Sequence, residues 1–139
     1  MKKVLVIEDN GDNLRLIAYA LERAGYTVIS ASTGEEGVER AIREKPFLVL
    51  MDIQLPGIDG LEATRRIRAS GVVQEVPIIA VTSYAMRGDM EKILDAGCSG
   101  YFEKPIDPLT IVDQIQTILD GIPYPGNKGA EGHEQNRTL

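Results

Sequence analysis

Glu8, Asp9, Asp52, Thr82 and Lys104 each stand where a short apolar run gives way to polar residues. If those runs are strands of one parallel sheet, the five side chains reach its carboxyl edge, where open α/β sheets collect their ligands. Three carboxylates crowded there repel one another, and loss of water raises the cost. A hard divalent cation with oxygen ligands relieves that repulsion, and Mg²⁺ suits a small, partly hydrated site. Lys104 adds a fixed positive charge and Thr82 a hydroxyl, a pairing able to hold the oxygens of a transferring phosphoryl group. A carboxylate can itself act as the nucleophile and become an aspartyl phosphate. The only histidine, His133, lies far from these positions, which removes most hydrolytic triads from consideration.

The elements that must position these residues follow from patterning. Lys3–Glu8 is a short apolar run ending in charge and reads as a first strand. Asn10, Asp12 and Asn13 offer capping oxygens to a helix carrying Leu14, Ile17, Ala18 and Leu21, with Gly25 as its C-terminal stop. Tyr26–Ala31, rich in β-branched residues, predicts the second strand. Thr33 caps a helix over Gly34–Glu44, with Glu36 in the capping-box position, and Pro46 ends it. Phe47–Met51 runs apolar without alternation, as a strand buried on both faces does, and stops at Asp52 before the turn formers Pro56, Gly57 and Gly60.

A helix through Leu61, Ala63, Ile67 and Ala69 follows, then a fourth strand over Val76–Thr82. The next helix, about Met86–Ala96, has few apolar residues (Met90, Ile93, Leu94) and is expected to pack less firmly than the rest. Ser99–Phe102 predicts a short fifth strand. Asp107 as N-cap and Pro108 in the first turn open a last helix with the stripe Leu109, Ile111, Val112, Ile115, Ile118 and Leu119. Strands alternating with helices predict a doubly wound parallel sheet with helices on both faces; periodicity alone leaves the strand order open. Residues 1–121 read as one domain and 122–139 as a flexible polar tail.

Composition narrows the class. Hydrophobic residues make up 43% of the 139, enough for a full core. A single cysteine, Cys98, excludes an internal disulfide and any multi-cysteine metal site, and reads as a small core or sub-surface residue. The net charge of −6 argues against a nucleic-acid surface. Arg65-Arg66-Ile67-Arg68 lies on a helix and reads as a solvated face. No apolar run is long enough to span a membrane, and the opening Met-Lys-Lys leads into strand-like residues, so the expectation is a cytoplasmic protein without a signal peptide.

Glu8-Asp9, Asp52 with Pro56 and Gly60, Thr82, and Lys104-Pro105 together resemble the receiver domain of two-component response regulators, over residues 1 to about 120. With no effector region in view, the chain is similar to stand-alone regulators of the CheY and DivK kind. The resemblance implies a flavodoxin-like (βα)5 fold with strand order 2-1-3-4-5. It implies that Asp52 is the phosphoacceptor for a histidine kinase or histidine phosphotransferase, and that Asp9, Asp52, the backbone carbonyl of Gln54 and, through water, Glu8 bind Mg²⁺. It further implies that Thr82 and Lys104 contact the phosphoryl oxygens, that the Lys104–Pro105 bond is cis, and that Tyr101 is an aromatic switch. On this reading the output is a changed surface on the fourth helix, fifth strand and fifth helix, read by a downstream protein partner, and the exposed face of the first helix docks the kinase. Such a protein is no enzyme beyond its own phosphotransfer and autodephosphorylation. Glu8 stands where Asp is commoner, and Gln54 and Tyr84 fall on two variable positions that tune the phosphoryl lifetime; a bulky Tyr84 is expected to hinder an attacking water.

Simpler readings compete. Any one of these carboxylates could be a helix N-cap, Thr82 could cap the helix after it, and Tyr101 could be packing. Five matched strand ends are harder to explain so. A haloacid-dehalogenase-type phosphatase also uses a strand-end aspartate, but on its first strand and with a second Asp two residues on, where this chain has Gln54. A flavin- or nucleotide-binding module would meet repulsion from Glu8-Asp9-Asn10-Gly11-Asp12. An inactive receiver serving as a scaffold has no need of the intact acidic set.

Overall fold

Apolar runs become five short strands: β1 (Lys3–Ile7), β2 (Thr27–Ala31), β3 (Leu48–Asp52), β4 (Ile78–Thr82) and β5 (Gly100–Glu103). Between and after them lie α1 (Gly11–Arg23), α2 (Gly34–Glu44), α3 (Gly60–Ala69), α4 (Arg87–Asp95) and α5 (Ile111–Asp120). The computed structural model describes residues 2–83 and 87–121. All four pairings are parallel, in the order β2-β1-β3-β4-β5. The expected strand order is therefore the one observed.

Alternate residues of each strand feed two separate cores. Leu5, Ile7, Val49, Met51, Ile78 and Ala80 pack with Ala41 of α2, Ala63 and Ile67 of α3 and Ile93 of α4. Val4, Val6, Leu50, Ile79, Val81 and Phe102 pack on the opposite face with Ile17 and Leu21 of α1 and Ile111 and Ile115 of α5. Every residue of β3 and β4 is buried, which is why their sequences do not alternate. Each fully buried Leu or Ile contributes about 1.5–3 kcal/mol of transfer free energy.

Helix ends follow local chemistry. Asn10 Oδ1 accepts from Asn13 N at 2.9 Å and so is the cap of α1 among the three candidates. The other end is a Schellman turn: Tyr26 N donates to Leu21 O and Gly25 N to Glu22 O, with Gly25 at φ +96°. Thr33 Oγ1 caps α2 through Glu36 N at 3.1 Å, but Glu36 reaches back to Ser32 N rather than to Thr33 N. The last helix starts later than Asp107-Pro108 suggests. Asp107 Oδ1 accepts from Leu109 N in a preceding turn, α5 begins at Ile111, and Leu109 is 88% exposed instead of joining the stripe. Of the apolar residues in α4 only Ile93 is buried, and Leu94 is exposed, in line with its thin apolar content. Among the described residues no helix is long and apolar enough to cross a membrane. The expected tail, residues 122–139, lies outside the described residues.

Candidate functional site

Register alone assembles the strand ends. Ile7 aligns with Met51, so Glu8 and Asp52 leave neighbouring strands side by side. Asp52 aligns with Val81 and Thr82 with Glu103, which places Thr82 and then Lys104 one step further along the same edge. Lys104 N donates to Thr82 O at 2.9 Å, fixing the point where the chain leaves β5, and the Lys104–Pro105 peptide is cis.

The side chains converge there. Glu8, Asp9 and Asp52 each bring a carboxylate oxygen within 4.8 Å of the others, Glu8 and Asp52 buried and Asp9 exposed. Lys104 Nζ donates to Asp52 Oδ2 at 3.0 Å and stands 3.7 Å from Glu8 Oε1. The other Asp52 oxygen accepts from Gln54 N at 3.0 Å. Asn10 N donates to Glu8 Oε2 at 3.2 Å, tying the start of α1 to the pocket. Glu8 Oε1 is buried and has no hydrogen-bond partner among the described residues. Burial, with the Asp52 carboxylate beside it, lifts the Glu8 carboxyl from 4.5 to about 7, against opposing pulls from Asn10 N–H and Lys104. An orphaned carboxylate oxygen facing two further carboxylates is the donor set a hard divalent cation takes up.

The loop after Asp52 is held close. Gly60 N donates to Ile53 O at 2.9 Å, and a Cβ at Gly60 would lie 2.3 Å from Asp52 O. Asp59 caps α3 through Glu62 N, and Glu35 Oε2 accepts from Ile58 N at 3.3 Å, bracing the loop from α2. Neither Asp59 nor Glu35 stands out in the sequence as part of the site's support; the Asp-x-x-Glu spacing ahead of the helix is a usable cap signal, whereas the Glu35 contact crosses 23 residues and leaves no local trace.

Thr82 is 1% exposed at the end of β4. Tyr101, in the middle of β5 and aligned with Ala80, is half-buried, and its hydroxyl donates to Met90 Sδ of α4 at 2.9 Å. Tyr84 lies outside the described residues.

An acidic trio and a lysine at the carboxyl edge of a 2-1-3-4-5 sheet define a class, and comparison with known proteins gives the same class. Residues 4–116 match the response regulator receiver domain. The chain belongs to that family of two-component signalling proteins. It is 39% identical over 118 residues to the polar-differentiation response regulator DivK of Brucella anthropi, covering 85% of this chain and 96% of that protein. Among solved structures, it is similar to the receiver domain of the sensor histidine kinase PA1611 from Pseudomonas aeruginosa, whose active-site cleft coordinates a magnesium ion (TM-score 0.76, 38% identity, 84% of this chain and 95% of that one). The chemotaxis regulator CheY4 of Vibrio cholerae shares the fold at TM-score 0.81 and 24% identity, over 85% of this chain and 98% of that one.

Proposed function

We propose that this chain is a phosphorylation-switched response regulator in which Asp52 takes a phosphoryl group from the phosphohistidine of a histidine kinase or histidine phosphotransferase. The observation that carries this reading is the setting of the Asp52 carboxylate, with Gln54 N–H on one oxygen, Lys104 Nζ on the other, and Glu8 and Asp9 within 4.8 Å. In the transfer an Asp52 oxygen attacks phosphorus, the N–P bond breaks, and its electron pair leaves with the imidazole nitrogen; an acyl phosphate results. Lys104 exchanges its contact with Asp52 for the phosphoryl oxygens, and the Thr82 hydroxyl donates to them. Glu8, Asp9, Asp52 and the Gln54 carbonyl would hold Mg²⁺, which when bound offsets the negative charge gathered between the carboxylates and the phosphoryl group.

Thr82 and Tyr101 then carry the change to α4, β5 and α5, whose surface meets a downstream protein partner. The exposed face of α1, beside the acidic pocket, receives the phosphodonor. On this reading residues 1–121 form the receiver unit and 122–139 a polar tail, and the protein turns over no free substrate beyond its own phosphotransfer and dephosphorylation. With a net charge of −6 and no membrane-length helix among the described residues, a cytoplasmic protein switch fits better than a DNA- or membrane-bound one.

Intact mass after incubation with Mg²⁺ and acetyl phosphate, then with a phosphohistidine donor, tests the proposal. The expected result is a single phosphoryl adduct that requires Mg²⁺ and is absent from Asp52→Asn. An adduct that survives in Asp52→Asn, or none with either donor, overturns it.

A further inference from the structure

α4 is attached to the sheet by little. Of its described side chains only Ile93 is buried, and Leu94 is 51% exposed. A polar tie among the described residues adds to this: Tyr101 Oη donates to Met90 Sδ at 2.9 Å. Tyr101 aligns with Ala80, and Thr82 with Glu103 one step beyond Phe102, so Tyr101 and Thr82 belong to the same face of the sheet, the face that α4 covers. A turn of the Tyr101 ring that carries its hydroxyl away from α4 breaks the contact with Met90. A thioether is a weak acceptor on a flexible stem, so it biases the ring without locking it.

We infer that Met90 is a positioning residue for Tyr101: its sulfur holds the ring in the resting orientation, and the set-point of the switch depends on how firmly it does so. The inference rests on the proposed phosphoacceptor role of Asp52. It assigns to α4 a part in the resting state, as the element that restrains the aromatic ring, besides its part in the output surface.

The test is titration of the full chain with beryllofluoride, a phosphoryl mimic, in Mg²⁺, followed by amide chemical shifts in β5 and α5. Met90→Leu keeps the volume and removes the acceptor; Tyr101→Phe keeps the ring and removes the donor. Each should bind beryllofluoride about three- to tenfold more tightly, the range one neutral hydrogen bond spans. The double variant should bind no more tightly than either single one, because both remove the same contact. Met90→Gln, which restores an oxygen acceptor, should return the affinity to the wild-type value or weaken it, an effect that loss of packing alone would not produce. Unchanged or weaker binding by Met90→Leu, or additive effects in the double variant, overturns the inference while leaving the phosphoacceptor reading intact. Wild-type protein that does not bind beryllofluoride overturns both.

Discussion

Lys104 at the end of β5 donates to Asp52 at the end of β3 at 3.0 Å, so the contact passes over the intervening strand β4. The same ammonium lies 3.7 Å from Glu8, and one cation thus serves two buried carboxylates. Replacing it leaves both uncompensated. Lys104→Met is expected to lower stability by about 1–3 kcal/mol at pH 8, as seen in the urea midpoint at constant m-value. Adding Asp52→Asn to that variant should recover part of the loss, since one of the two charges that lost their partner is gone; additive losses would show that Lys104 acts through packing of its stem instead.

Glu8 supplies a pH dependence of definite sign. Its folded-state carboxyl titrates near 7 and its unfolded-state carboxyl near 4.5, so the folded protein binds the extra proton between those values. Stability therefore falls as pH rises from 4.5 to 7, and the full penalty, on the order of 3 kcal/mol, is present above 7. In metal-free buffer the midpoint of denaturation should drop between pH 5 and pH 8, and Glu8→Gln should flatten the slope. Mg²⁺ should restore stability to wild type at pH 8 and do less at pH 5, where the cation competes with a proton. A wild-type profile that rises over this interval would contradict the assignment.

Two glycines separate a crowded backbone from a crowded side chain. A Cβ at Gly60 would meet Asp52 O at 2.3 Å and Ile53 Cα at 2.8 Å, both backbone atoms at the carboxyl end of β3. At Gly37 it would meet the methyl end of Ile7 at 2.5 Å. Gly60→Ala should therefore cost more stability, about 2–3 kcal/mol against about 1 for Gly37→Ala, because a side chain can rotate away and the backbone cannot. Gly60→Ala should also slow acetyl phosphate labelling of Asp52 at least tenfold, with Gly37→Ala near the wild-type rate in mass-monitored time courses.

Much of the fold was legible because its signals are local. Unbroken apolar runs ending in polar residues marked β1, β3 and β4, and Asn10, Thr33 and Gly25 marked helix ends through atoms within a few residues of them. The convergence of Glu8, Asp52 and Lys104 was legible too, since parallel strands put all their carboxyl ends on one side. What stayed hidden depends on chain segments far apart. Arg68 is the clearest case. Within Arg65-Arg66-Ile67-Arg68 the first two are exposed and pair with Glu62, as a solvated face does. Arg68 instead donates to the carbonyls of Gly97, Gln74 and Val76, stapling α3 to the loops before β4 and β5, and burial pulls its guanidinium below the usual value. Nothing in a run of arginines tells which one finds three carbonyls. Met90 was hidden for the same reason: its spacing reads as sparse core, and only the register of β5 brings Tyr101 under it.

The distance along the chain between Asp52 and Lys104, 52 residues, also has a meaning in time. A polypeptide is made from its amino end, at about 5–20 residues per second, so roughly 3–10 s separate the synthesis of the two. During that interval Glu8, Asp9 and Asp52 already exist at the ends of strands able to pair, while the ammonium that offsets their charge is still to come. The nascent chain thus carries its acidic edge before its clamp. Charge balance is the last property the pocket acquires, arriving with β5, and a chain cut short before Lys104 has the carboxylates without the cation that offsets them.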